Sequence, residues 1–143
     1  MARYEIGVQK VTTAAAGLLV QLRTGTARDV RVFEIGVFAA SAVSGEVALI
    51  RPTAVGATFA SSAVGASLDS ASGAGVSVVD LSATTAPTIG TNYMRRIVLP
   101  GNIGAGIIWT FPLGINVPVS SSIALWQLTA LAVTYDVYFD YDE

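Results

Sequence analysis

The sequence predicts an all-β protein: an antiparallel β-sandwich of about eight strands, jelly-roll-like, with one long loop rich in Ala, Ser and Gly. Apolar and polar residues alternate almost without fault from 131 to 143, which is the period of a half-buried strand. Shorter segments of similar character recur along the chain, separated by Gly and Pro turns. The alanine run Ala14–Ala16 is followed at once by Gly17 and does not predict a helix. Eight or so strands with such turns favour a sandwich, and the jelly roll is its natural eight-stranded version.

Four strands are predicted in the first part of the chain. The first alternates apolar Tyr4, Ile6 and Val8 with polar neighbours. Pro52 closes the fourth, because proline has no N–H to donate to a sheet. The turns between these strands are rich in Gly, Ser and Thr. The predicted ranges are 2–11, 18–23, 30–39 and 46–51.

Residues 53–92 change character, since Ala, Ser, Gly and Thr supply 27 of the 40 positions and only Asp69 and Asp80 are charged. Side chains this small are poor core material, so the segment is predicted to be a long loop or arm with at most a short strand near 76–81. A loop of that length in a compact domain is usually functional or disordered. Two interpretations stay open: a flexible surface loop, and an arm that orders against a neighbouring subunit, which the apolar composition favours.

Four further strands are predicted after Tyr93, at 94–99, 106–111, 123–128 and 131–143. Pro112, Gly114 and Pro118 keep the chain between the second and third of these extended but irregular. The apolar face of the last strand is expected to close the sandwich and comprises Leu131, Val133, Tyr135, Val137, Phe139 and Tyr141. Its opposite, wet face comprises Ala132, Thr134, Asp136, Tyr138, Asp140 and Asp142.

The composition indicates a single domain, 1–143, with a surface that is expected to be partly buried against other molecules. Hydrophobic residues make up 52% of the chain and charged residues 13%, against a usual charged share of about 25%. So neutral a surface predicts burial against copies of the chain or against a partner. A membrane is not expected as that partner. Prolines interrupt the uncharged stretch 97–135 and leave no room for an apolar helix of about 20 residues.

Histidine and cysteine are both absent, which removes most enzyme classes. Ser-His-Asp and Cys-His catalysis, thiolate nucleophiles, disulfides and the common zinc sites each need one of them. We therefore expect no enzyme activity, no catalytic residue, no cofactor, no metal and no small-molecule substrate. A histidine-free glycosidase with paired carboxylates stays open as an alternative, because the separation that it requires is spatial and is not written in the sequence.

The basic residues are scattered, with Arg95 and Arg96 as the one adjacent pair, and the net charge is −2. Nucleic-acid binding needs a basic stripe, so no nucleic acid is expected as a partner. Arginine does suit bidentate pairing across protein interfaces, because the guanidinium is planar and loosely hydrated. The chain begins with a charged strand and shows no signal peptide, so we expect synthesis in a cytoplasm.

An interface is the favoured role for the exposed charges. Asp140 and Asp142, about 7 Å apart on one strand face, could share a cation such as calcium. Calcium sites usually take further oxygens from a folded loop, which a strand does not supply. A solvated edge that resists aggregation, or a surface that receives arginines of a neighbouring subunit, is the better interpretation. The predicted interface residues are Arg95, Arg96, Asp136, Tyr138, Asp140 and Asp142.

The chain resembles small all-β virion proteins of tailed bacteriophages, most closely capsid decoration (cement) proteins. The resemblance lies in the start at 1–5, the lack of His and Cys, the Ala/Ser/Gly-rich middle and the endings 122–127 and 135–143. It implies a jelly roll or related sandwich, homotrimers or other oligomers, and no catalysis. It also implies a virion location, with the major capsid protein and copies of itself as partners.

A glycan-binding β module of a phage tail or fibre is the main rival interpretation. Trp109, Trp126 and the tyrosines could stack on sugars or lie at an interface. Both tryptophans have largely apolar neighbours, so core packing is expected for them. Tyr138 lies on the acidic face of the final strand and is the better candidate for an exposed, partner-binding ring.

Overall fold

A computed structural model describes residues 2–69 and 71–143, and over these ranges the protein is all-β with no helix. The strands are β1 (Arg3–Val11), β2 (Gly17–Arg23), β3 (Val30–Ala39), β4 (Gly45–Ile50), β5 (Ala57–Val64), β6 (Ala66–Ser67), β7 (Val78–Thr85), β8 (Arg95–Leu99), β9 (Gly106–Val117), β10 (Ser122–Gln127) and β11 (Thr134–Asp142). The prediction of an antiparallel all-β fold is confirmed, with more strands than the eight expected.

The strands form two antiparallel sheets. One has five strands in the order β6-β1-β11-β3-β9, and the other has six in the order β5-β7-β2-β10-β4-β8. The first four strands pair with the last four in reverse order, β1 with β11, β2 with β10, β3 with β9 and β4 with β8. The chain is therefore folded like one long hairpin, and residues 51–94 make its closing connection.

A single large hydrophobic cluster draws side chains from both sheets. The final strand supplies its largest members, because Tyr135, Phe139 and Tyr141 are all fully buried. Burying an apolar side chain such as that of Phe139 stabilises the fold by about 1.5–3 kcal/mol. The predicted apolar face of this strand is confirmed from Val133 onward, whereas Leu131 is 48% exposed because the strand begins only at Thr134. Trp109 lies in the same core, as expected.

A smaller cluster covers part of the six-stranded sheet outside the main core. It consists of Ala48, Ile50 and Ala124, with partly buried neighbours that include Trp126 and Ile89. Ile89 belongs to the segment 86–92 that returns from β7 towards β8. The closing connection thus folds back onto the sheet that it leaves.

The prediction of a long loop at 53–92 is wrong at 57–64, 66–67 and 78–85, which are strands, although it allows for one short strand near 76–81. β5 and β7 pair from Ala57↔Thr85 to Val64↔Val78, and β7 also pairs with β2. Sheet hydrogen bonds come from the backbone, so small side chains do not prevent pairing. Val79 is fully buried and joins the main core. Ser70, within this segment, lies outside the described residues.

Strand β9 is longer than predicted and runs through Pro112 to Val117. It is an edge strand, so the missing N–H of proline need not face a neighbouring strand. The pairing with β3 shifts register between Val32 and Glu34, and Gly114 there has φ 69°. Glycine adopts that left-handed conformation without a steric cost. The irregular stretch that the sequence indicated is therefore a bulge within a strand.

Within the described ranges, none of the elements is a helix with the length and apolar character needed to span a membrane.

Candidate functional site

The candidate site is the outer face of the five-stranded sheet, and strand register places its side chains in rows. In the central row, Gly7, Tyr138, Gly36 and Ile108 lie opposite one another across β1, β11, β3 and β9. Outward residues of neighbouring strands in register form one continuous surface. The final strand lies between β1 and β3, so its wet face is the middle of a sheet. The interpretation of its acids as a solvated edge is wrong.

Two aromatic rings lie flat on this face because each rests on a glycine. A Cβ added to Gly36 would lie 2.0 Å from Tyr138 Cε1, and one added to Gly106 would lie 2.2 Å from Phe38 Cδ1. The two rings are 6.3 Å apart between centroids and nearly parallel, at 17°. Both are only partly buried. Gly36 and Gly106 therefore leave space for the two rings to pack against the backbone of the sheet. We call the pair of rings, Phe38 and Tyr138, the platform.

A shallow groove of about 400 Å³ runs beside this platform. Gly7 leaves its floor bare, since a Cβ there would meet nothing within 4 Å. The Gln9 amide donates to Asp136 Oδ1 at 2.8 Å along the rim. We call this site the Asp136 groove, and it is lined by Gly7, Val8, Gln9, Phe38, Asp136, Val137 and Tyr138.

An acidic row borders the platform, in which Glu5, Asp140 and Glu34 are directly opposite one another. Like charges so placed repel unless they are compensated. The Tyr138 hydroxyl donates to Glu34 Oε1. Burial, with this bond and the nearby carboxylates, raises the pKa of Tyr138 to about 12. Tyr138 is thus a half-buried, bonded ring rather than a freely exposed one.

Arg3 compensates Asp140 and also covers an aromatic ring. Its Nε and Nη2 donate to the two Asp140 carboxylate oxygens at 2.8 and 2.5 Å. The hydrogen bond to Asp140 and the attraction of its charge raise the pKa of Arg3 further. The guanidinium carbon lies 5.1 Å from the centroid of the Phe33 ring. One arginine, one carboxylate and one aromatic ring therefore form a unit, which we call an arginine triad.

A second arginine triad joins β2 to the β5–β7 pair. Arg23 donates to both oxygens of the fully buried Asp80, at 2.7 and 3.1 Å. Its guanidinium lies 4.2 Å from the centroid of Phe59. Cation–π attraction and a bidentate ion pair use different parts of the guanidinium, its face and its edge. The two interactions therefore reinforce each other.

A third triad lies on β8, where Arg96 pairs with Glu46 and has Tyr93 at 5.9 Å. The hydrogen bond to Glu46 raises the pKa of Arg96. The neighbouring Arg95 lies 5.8 Å from the Phe111 centroid and donates to the carbonyl of Met94. Among the described residues, Arg95 has no carboxylate partner within ion-pair distance. Arg95 and Phe111 therefore form an incomplete triad, which lacks the carboxylate.

The structure divides the six predicted interface residues between two surfaces. Asp136, Tyr138, Asp140 and Asp142 lie together on the outer face of the five-stranded sheet. Arg95 and Arg96 lie on β8, the edge strand of the other sheet. Asp142 is opposite Arg3 and Arg31. The acids and the arginine pair therefore do not form one site within the chain.

The edge strands β8 and β9 and the turn between them expose large apolar side chains. Val98 is 62% exposed, Ile103 74% and Leu113 89%. Exposed apolar side chains along two sheet edges make these edges a candidate interaction surface. We call this side of the molecule the β8–β9 side; Arg95 lies on it.

Sequence reasoning missed Phe38, Gln9, Glu34 and the two supporting glycines as parts of the site. Glu34 and Phe38 are four residues apart within the predicted strand 30–39, so period-two alternation places them on one face, but nothing in the sequence indicates that β11 pairs with this strand. No group of three or more Asp, Glu, His or Cys side chains in 2–69 and 71–143 is arranged to hold a metal ion.

Comparisons with models of known protein families, with curated proteins and with solved structures gave no match to this chain.

Proposed function

We propose that the protein is a structural virion component, a capsid decoration (cement) protein that binds the outer surface of a phage head. In this role it stabilises the shell by contacts with the major capsid protein and with copies of itself, as a homotrimer or another oligomer. The β8–β9 side is the observation that carries the proposal. Two adjacent sheet edges that expose apolar side chains are costly in water and are explained by burial against a partner.

The jelly-roll topology is part of the same proposal. We take the eight strands β1–β4 and β8–β11 to be a jelly-roll sandwich, extended by β5–β7. The nested pairing of first with last strands, and the orders β1-β11-β3-β9 and β2-β10-β4-β8, support this assignment. Two-sheet jelly rolls are common in viral capsid proteins, which is an argument from analogy and concerns architecture alone.

Removing the protein from phage particles and then adding it back tests the proposed cement role. Phage particles that lack the protein should assemble but lose their DNA at a lower temperature than complete particles. Adding purified protein should restore the wild-type temperature, because the added contacts span neighbouring shell subunits. A Val98→Asp, Leu113→Asp variant is expected to restore less, since it places charge on the β8–β9 side. Particles of unchanged stability would contradict the proposal.

A glycan-binding tail module is the second candidate, favoured by the level Tyr138 and Phe38 rings beside the Asp136 groove. Flat aromatic faces next to amide and carboxylate groups suit sugar recognition. The same particles discriminate the two roles. Loss of adsorption to host cells with unchanged heat stability would favour the glycan module, and the reverse result favours the cement role.

A further inference from the structure

We propose that Arg95 of one copy docks into the Asp136 groove of a second copy, over the rings of Phe38 and Tyr138. The inference deepens the proposed function and rests on it, because it names the surfaces through which a multi-copy component meets itself.

The arginines of this chain show a repeated preference. Each of the three ion pairs in the described residues belongs to an arginine triad, with a ring within 6 Å of the guanidinium. A carboxylate on the edge of the guanidinium and a ring on its face satisfy both of its bonding modes. The three triads within the chain therefore show the same kind of contact that we propose between copies.

Within 2–69 and 71–143, the Asp136 groove and Arg95 are incomplete triads that complement each other. In this part of the chain the groove has a carboxylate and two nearly parallel rings but no arginine, and only Oδ1 of Asp136 is bonded, to Gln9. Arg95 has a ring and, among the same residues, no carboxylate. The groove volume of about 400 Å³ and its bare Gly7 floor leave room for an arginine side chain.

Charge favours the same pairing. The outer face of the five-stranded sheet carries the acids Glu5, Glu34, Asp136, Asp140 and Asp142 against the two arginines Arg3 and Arg31. Arg95 is exposed at the start of the edge strand β8. Attraction between its charge and the acidic face strengthens when the contact excludes water.

The two surfaces differ, so the contact is heterologous. One copy offers its β8–β9 side and keeps its sheet face unused, and the next copy offers its sheet face and keeps its β8–β9 side unused. Such contacts generate a closed ring when the rotation between copies closes. A second copy is therefore an occupant that explains both surfaces at once.

Sedimentation of the purified full chain over a range of concentrations tests the inference. The wild-type chain should self-associate. Asp136→Arg and Arg95→Asp should each raise the dissociation constant at least tenfold, because each places like charges in the groove. Arg28→Asp, which changes an exposed arginine elsewhere, is the matched control and should associate like the wild type. Circular dichroism and thermal unfolding should show that all variants are folded.

Mixing the two variants makes the test specific. An equimolar mixture retains an intact groove on one variant and an intact Arg95 on the other, so heterodimers should form with the wild-type dissociation constant. A mixture that stays monomeric, or single variants that associate like the wild type, would overturn the inference.

The experiments distinguish a failure of the Arg95 contact from a failure of the cement role. A wild-type chain that stays monomeric in solution and yet stabilises particles would contradict the Arg95 contact and leave the cement role standing. Self-association that depends on Arg95 and Asp136, by a chain that has no effect on particles, would support the contact and contradict the cement role.

Discussion

Asp80 is a buried carboxylate on which three strands converge. It accepts hydrogen bonds from Arg23 and from Gln21 on β2, and from Ser62 on β5, at distances of 2.6–3.2 Å. Such an acid is stable in the core only while its partners remain, because an uncompensated buried charge is strongly unfavourable. Asp80 therefore fixes the β5–β7 pair to the six-stranded sheet.

Replacing Asp80 should consequently destabilise the protein. We expect Asp80→Ala to lower the free energy of unfolding by about 3 kcal/mol, because it leaves Arg23 and Gln21 without their shared acceptor. Chemical denaturation measures this loss. The exposed Glu5 supplies the control, and Glu5→Gln should change the stability by less than about 0.5 kcal/mol. Equal effects of the two substitutions would mean that the Asp80 network contributes nothing.

Tyr135 makes stability sensitive to alkaline pH. Its hydroxyl is buried with no hydrogen-bond partner among the described residues, and burial raises the pKa of Tyr135 to about 12. In the unfolded chain a tyrosine ionises near pH 10. The folded state excludes the tyrosinate, so stability is complete below about pH 10 and is lost as the pH rises towards 12.

The Tyr135→Phe variant should retain wild-type stability at pH 7, since it removes an unbonded hydroxyl. Between about pH 10 and 12 its free energy of unfolding should fall less than that of the wild type, by on the order of 2 kcal/mol. Urea titrations at several pH values measure the difference. Tyr93→Phe, which changes a ring outside the core, is the control. Parallel pH profiles for the wild type and the Tyr135 variant would contradict this role.

Gly36 sets the position of the Tyr138 ring. Gly36→Ala should destabilise the protein by about 1–3 kcal/mol, because the added methyl group overlaps the ring and must displace it. Gly7→Ala on β1, on the other side of β11 in the same sheet, is the matched control. Its methyl group meets nothing within 4 Å, so stability should stay equal or rise slightly. Thermal unfolding of both variants measures the difference. A loss of stability for Gly36→Ala alone would show that the ring position requires glycine at 36, and equal effects of the two substitutions would contradict this.

At the scale of elements, the β5–β7 pair distinguishes the structure from the loop that composition suggests. Backbone amides of β7 next to β2, at 78–80, should exchange with solvent more slowly than those of the edge strand β5, because they lie between two strands. Hydrogen exchange followed by mass spectrometry measures both. Uniformly fast exchange over 57–85 would indicate a loop after all.

Strand pattern explains which elements the sequence could predict. The alternation in β1, β3 and β11 is strong because one side of each strand is buried by large side chains. β5 and β7 have little alternation, since Ala, Ser and Thr occur on both faces and the backbone supplies most of their pairing. Their place in a sheet is therefore decided by tertiary contacts with β2, which a local pattern does not contain.

The candidate site was predictable only in part for a related reason. Asp136, Tyr138 and Asp140 share one face of a strand, and period-two alternation places them there. Their partners come from residues about 100 or more positions away, such as Glu34 for Tyr138 and Arg3 for Asp140. Those contacts depend on register between distant strands, which is set by the whole fold.

At the scale of the whole molecule, the protein is a charge-poor, two-sheet body with an acidic sheet face and an apolar, arginine-bearing side. Under the proposed cement role, both surfaces are buried against partners. Together they suit a component that is used in many copies, since one kind of contact can then be repeated around a symmetric assembly.

The copy number of the protein per phage particle tests the proposed structural role most directly. Particle mass and quantitative mass spectrometry give its ratio to the main shell subunit. We expect on the order of hundreds of copies in a fixed ratio to that subunit, because each equivalent position of a closed shell offers the same docking surface. A handful of copies per particle, or a protein found only free in solution, would contradict it.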